Sequence, residues 1–346
     1  QSFIKSKGAC WVALALLVVP MFASYFFDDM FSSLSHLFKT PEALELGWNS
    51  ADYGFYAGGY SFLCVWGGLI ICGMLLDKWG VRITGSIFVG MMTVGAAIVT
   101  YAISSHLSPK ESLILAYTGC MFFGLGSEIA GVAVTRSIAK WFKGRSMALA
   151  MGLQLAIARL GTAAALILSP VLVATKAPGE IYRLSETNVP ALVGLGILLA
   201  GCILWALFVA MDAKFDQAAG TTDRKKTAEE DKFKLSDIFR VLGLLMAGCV
   251  LWAFFVAMDA GFDKAAGTSD KKKTAEEDKF RFSDIFRVLG NRNFILIALL
   301  CVFFYCCIIS FKKFATSILI PRFDIPVETA SWMVSMIPFF TVIFTP

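Results

Sequence analysis

The chain has 346 residues, 57% of them hydrophobic and only 16% charged, with 31 Phe and a mean hydropathy of +0.70. A soluble globular protein carries roughly 45–50% apolar and about 25% charged residues, so this composition excludes a soluble enzyme, a disordered tail and a nucleic-acid-binding module. The net charge of +5 calls for no acidic partner, because basic loops gather on one face of a membrane protein.

A bilayer-spanning helix takes about 20 mostly apolar residues. Runs of that kind lie at 8–29, 53–76, 83–104, 112–137, 146–173, 189–211, 242–258, 293–315 and 328–346. The fold class they imply is an all-α, polytopic membrane protein embedded in a lipid bilayer. The first run follows Lys5 and Lys7, as a signal peptide would. It is too long for a signal core and no small-residue cleavage site follows, so it reads as helix 1. The nine cysteines all fall in apolar runs and read as small residues packed between helices.

The connecting loops differ in charge. Loop 30–52 is acidic, with Glu42, Glu45 and Asp52, whereas 77–82 carries Lys78 and Arg82. The 136–145 stretch carries Arg136, Lys140, Lys143 and Arg145, and 212–240 is long and rich in Lys and Arg. The excess of basic residues places the N-terminus and these three segments in the cytoplasm.

Residues 195–241 and 242–288 are near-copies at an offset of 47, identical at 37 of 47 positions. Two copies are too few for a solenoid, which needs about three. If both 189–211 and 242–258 spanned the bilayer, two equally basic linkers would face opposite sides, against the charge rule. Leu-Gly pairs stand at 195–196, 242–243 and 289–290, which reads as a splice or assembly scar at a shared dipeptide. The expected organisation is therefore a six-helix bundle over 1–211 and a charged linker over 212–241. The near-duplicate follows over 242–288, and the first two helices of a second bundle over 289–346.

The sharpest local motif joins spans 2 and 3: Gly73-Met74-Leu75-Leu76-Asp77-Lys78-Trp79-Gly80-Val81-Arg82. Asp77 is placed to cap a helix or pair with a nearby arginine, while Gly73 and Gly80 permit close helix contact and a tight turn. With its spacing and position, the motif resembles the G-x-L-x-D-[RK]-x-G-x-[RK] signature of the major facilitator superfamily. The resemblance implies a helical carrier of two halves, with Gly73, Asp77, Lys78, Gly80 and Arg82 forming a conformational latch. It also implies four further spans after the eighth, so the chain reads as a fragment that would not transport alone.

Two ionisable residues sit at mid-membrane depth: Glu128 in span 4 and Arg159 in span 5. Each costs roughly 2.5–3.5 kcal/mol there, so each must face a partner or a water-filled cavity. They are either a substrate site or a structural ion pair. The stretch FGLGSEIAGVAVTRSIAKWFKGRSMALAMGLQLAIARLGT resembles the branch of the superfamily that includes the animal lysosomal dipeptide uniporter. That resemblance implies that Glu128 takes the amino group and Arg159 the carboxylate of a zwitterionic peptide, a task that suits the planar guanidinium fork.

Weaker candidates are Asp28 and Asp29 at the outer end of span 1, as a gate, a cation site or a solvated helix end. Lys312 and Lys313, in the outer part of span 7, either meet a substrate carboxylate or snorkel to the headgroups. Gln154 is expected to pack away from Arg159. No metal box, nucleotide loop or nucleophile–base set is present, so neither enzymatic activity nor a cofactor is expected. The expected function is alternating-access transport of a dipeptide or amino acid, with a proton as candidate co-substrate. An organic-anion/proton symporter and a non-transporting membrane scaffold are the alternatives. The expected location is a bacterial inner membrane, with an organelle membrane as the alternative; the lack of Cys-rich lumenal loops fits either.

Overall fold

Helix starts follow the local chemistry. Asn49 Oδ1 accepts from the amides of Ala51 (2.8 Å) and Asp52 (3.0 Å), and Asp52 reaches back to the Asn49 amide at 2.9 Å. Ser108 and Glu111 make the same reciprocal box, with Pro109 in the first helical position. Such caps satisfy backbone donors that a helix start leaves open.

The structure is a computed structural model that describes residues 7–38, 47–105, 107–144, 146–173, 183–219 and 292–344. Residues 220–241 of the expected linker 212–241 and the near-copy 242–288 lie outside the described residues, as do His106 and Arg145. Among the described residues there are eight α-helices: α1 Lys7–Asp29, α2 Ser50–Leu63, α3 Leu69–Ser104, α4 Pro109–Trp141, α5 Met147–Leu172, α6 Val189–Ala219, α7 Arg292–Phe323 and α8 Val327–Phe344. A π-helical segment, Cys64–Gly68, joins α2 to α3, and no strand occurs among the described residues. This is the all-α polytopic fold the composition calls for. Five helical stretches among the described residues are long and apolar enough to cross a bilayer: Gly8–Asp29, Ile71–Ser104, Pro109–Trp141, Met147–Leu172 and Val189–Asp216.

Spans 2 and 3 are not separated by a loop. The helix runs through the signature and breaks only at Gly80 (φ 79°, ψ 166°), a conformation reserved for glycine. Gly73 makes no close helix contact, since a Cβ there would meet nothing within 4 Å. Close helix contact is instead made between α3 and α4, where Gly95 and Gly119 press backbone against backbone. Without a hydrophobic drive between helices in lipid, small residues at such crossings let packing do the work.

The chain divides into two compact units, residues 1–233 with 312–346, and residues 234–311. In the second unit the described residues are 292–311, the first part of α7. In the first unit α1 packs between α5 and α6, α2 lies on α4, and α8 lies on α5. Phe38 stacks on Tyr53 at 5.0 Å and on Trp48 at 6.3 Å, which roofs the α1–α2 end with aromatic rings.

Candidate functional site

Four helices bring polar groups to one place in mid-bundle. Glu128 on α4 is exposed and accepts a hydrogen bond at Oε1 from the Tyr60 hydroxyl of α2, at 2.8 Å. Tyr60 also points at Ser127 Oγ (3.3 Å), which is hydrogen-bonded to Ser24 of α1. Arg159 on α5 lies over the Tyr25 ring of α1 at 5.6 Å. Among the described residues Glu128 and Arg159 do not pair with each other or with any other charge. An anion on α4 held by Tyr60 and a cation on α5 lying over Tyr25 are each without a countercharge among the described residues. Gln154 turns away from this site and donates to Thr135 Oγ1 at 3.3 Å.

The loop-bearing end near the N-terminus carries a charge network. Asp77 pairs with Arg136 across α3 and α4. Arg82 Nη2 meets Asp216 Oδ2 at 3.0 Å, and Lys140 Nζ meets Asp212 at 3.0 Å and Asp216 at 2.7 Å. The Trp141 indole donates to Asp212 Oδ1 at 2.8 Å. Lys78, next to Asp77, is exposed at the same end. Trp11 packs edge-on against Phe142 at 5.4 Å, so the start of α1 belongs to this end as well.

The opposite end of α1 holds a second charge cluster. Asp29 is fully buried and accepts from Lys312 Nζ (2.8 Å) and Thr162 Oγ1 (2.9 Å) at Oδ2, with Lys313 Nζ at 3.2 Å from Oδ1. Lys313 also meets Asp28 Oδ1 at 3.1 Å and donates to the Asp28 carbonyl at 2.6 Å. Beyond it, the hydroxyl of Ser35 is shared with Thr316 and Ser317, both at 2.8 Å. Asp29 is therefore no solvated helix end, and Lys312 and Lys313, only 13% and 12% exposed, do not snorkel. Carboxylates and lysines that would each be costly alone neutralise one another out of water. Between Asp28, Lys313, Tyr53, Tyr56 and Phe123 remains a small cavity of about the volume of one water molecule. Among the described residues no three His, Cys, Asp or Glu side chains gather to hold a metal ion.

Comparison with known proteins places the family. The sequence profile described as Major Facilitator Superfamily matches residues 21–346. The chain belongs to the major facilitator superfamily. Similar curated proteins are named lysosomal dipeptide transporter MFSD1. That of Danio rerio is 32% identical over 146 residues, covering 41% of this chain and 29% of the relative. Those of Bos taurus and Homo sapiens are each 26% identical over 230 residues, covering 66% of this chain and 46% of the relative. The chain thus spans less than half the length of the curated relatives it matches.

Within this facilitator chain, several residues at the two charged ends were not legible as partners. Asp212 and Asp216 stand four apart, on one face of a helix, immediately after an apolar run. That spacing was the available signal, but ending span 6 at 211 assigns both to a linker, whereas α6 runs on to Ala219. Tyr60 carries no sequence mark beyond being a tyrosine in an apolar helix.

Proposed function

We propose that the full-length protein is an alternating-access carrier of a small zwitterionic solute, a dipeptide or an amino acid. The observation that carries this reading is the pair Glu128 and Arg159. Both sit at mid-span and are unpaired with one another, Glu128 held by Tyr60 and Arg159 lying over Tyr25. Glu128 suits an ammonium group and Arg159 a carboxylate, whose two oxygens match the guanidinium fork. Intramembrane charges of this kind mark substrate paths by default. The lysosomal dipeptide transporters among its relatives support the peptide reading, and favour an organelle membrane over a bacterial inner membrane.

In this reading the two charge clusters serve as gates. Asp28, Asp29, Lys312 and Lys313 close the outer end, and the Gly73–Arg82 signature, with Arg136, Lys140, Asp212 and Asp216, latches the cytoplasmic end. Clustering of the start of α1 with the basic loops supports a cytoplasmic N-terminus. A carrier of this type rocks two halves around a midplane site, and each gate must break in turn.

Uptake of a labelled zwitterionic dipeptide by the full-length protein tests the proposal. Glu128→Gln and Arg159→Gln should each abolish uptake while surface expression stays normal. A doubly substituted charge swap that keeps wild-type uptake would instead mark the two residues as structural.

A further inference from the structure

We infer that Tyr60 is a positioning residue for Glu128, orienting its carboxylate without neutralising it; this rests on the substrate-site reading above. Tyr60 supplies a neutral donor to Oε1 at 2.8 Å. Among the described residues Oε2 has no hydrogen-bonding partner, so one oxygen is held and the other is presented to a ligand. A lysine or arginine in the same place would fill the site with a countercharge; a hydroxyl leaves the anion available.

The arrangement that delivers the hydroxyl is built into the backbone. Gly124 lies against the Tyr60 carbonyl so closely that an added Cβ would collide with it, which locks α2 onto α4 one turn from Glu128. The Tyr60 ring packs edge-on against Phe123 at 6.0 Å. Its hydroxyl also faces Ser127, which is tied to Ser24, so α1, α2 and α4 meet at this one group. Directly after Tyr60 the helix passes into the π-helical segment Cys64–Gly68, where Gly67 has φ 99°. Single π-turns recur at functional sites because they re-aim neighbouring side chains.

Tyr60→Phe removes only the hydroxyl and keeps the ring. In the full-length carrier, uptake of L-alanyl-L-alanine should show KM raised about tenfold with maximal rate within about twofold, as expected for losing a hydrogen bond to a charged group that holds substrate. A second readout needs no substrate: modification of Glu128 by a hydrophobic carbodiimide, followed by mass spectrometry. With Oε1 uncovered, the rate in Tyr60→Phe should rise about threefold or more. Unchanged KM and unchanged labelling would overturn the assignment of Tyr60. Wild-type uptake that is absent, or that survives Glu128→Gln, would overturn the substrate reading, and the labelling result would then decide Tyr60 by itself.

Discussion

Lys312 Nζ lies 2.8 Å from Asp29 Oδ2, joining residues 283 apart in sequence and tying α7 to the end of α1. Asp29 is enclosed by two lysines, a threonine and, at 3.4 Å, Ser32 Oγ. Removing one partner of such a buried set leaves an uncompensated charge, which costs about 3–5 kcal/mol. Asp29→Asn should therefore lower thermal stability in detergent markedly, and the reciprocal pair Asp29→Lys with Lys312→Asp should recover part of the loss. A cysteine at Ser35 should label with an impermeant thiol reagent faster in Asp29→Asn than in the wild-type background, because the gate opens.

The signature end separates buried from exposed ion pairs. Asp212 is 6% exposed at its side chain and takes Lys140, Arg82 and the Trp141 indole, whereas Asp77 and Arg136 are 66% and 44% exposed. Asp212→Asn should cost about 1–3 kcal/mol, the usual range for unsatisfying a buried donor set. Asp77→Asn should cost about 0–1 kcal/mol, since water screens the pair. If Asp77 acts as a latch, its substitution changes transport rate far more than melting temperature, and parallel uptake and thermal-shift measurements would reveal the split.

His36 supplies a pH test outside the membrane-spanning helices. Burial pushes its pKa from the ordinary 6.5 down to about 4, with the nearby Ser33 carbonyl acting in the opposite sense. The folded chain resists protonating this ring, while the unfolded chain accepts the proton readily. Its contribution to stability is intact above pH 6.5 and falls as the pH drops towards 4. Allowing for its partial exposure, the loss is about 1–2 kcal/mol. His36→Gln should flatten the melting temperature across that window, and an unchanged pH slope would refute the assignment.

The near-copy offers a deletion test. The buried positions of α6 within the duplicated stretch, Leu198, Gly201, Trp205, Phe208, Asp212 and Asp216, recur unchanged as Leu245, Gly248, Trp252, Phe255, Asp259 and Asp263. Within 195–216 the copies differ at Leu199, Ile203, Leu207 and Lys214, which are exposed, and at half-buried Ile197. Only the first copy is preceded by the buried Pro190, Ala191 and Gly194 that start α6. Deleting 242–288 should leave the first bundle's melting behaviour within about 0.5 kcal/mol of the parent, the range typical of changes away from packed positions.

What the sequence determined by itself is what depends on composition and short-range pattern. Apolar runs long enough to cross a bilayer fix an all-helical membrane protein, because no water is present to satisfy an open backbone. The Gly73–Arg82 spacing carries the family, and the isolated charges Glu128 and Arg159 stand out because mid-membrane charge is costly. Tertiary structure decided which charges meet. Arg159 lies over Tyr25 and does not pair with Glu128, Tyr60 turns its hydroxyl to Glu128, and Lys312 finds Asp29 where snorkelling to the headgroups was the simpler expectation. Those choices depend on helix rotation and depth, set by glycine contacts such as Gly124 on Tyr60 and Gly95 on Gly119. Packing of that kind joins residues far apart in the chain, and local hydropathy carries no record of it.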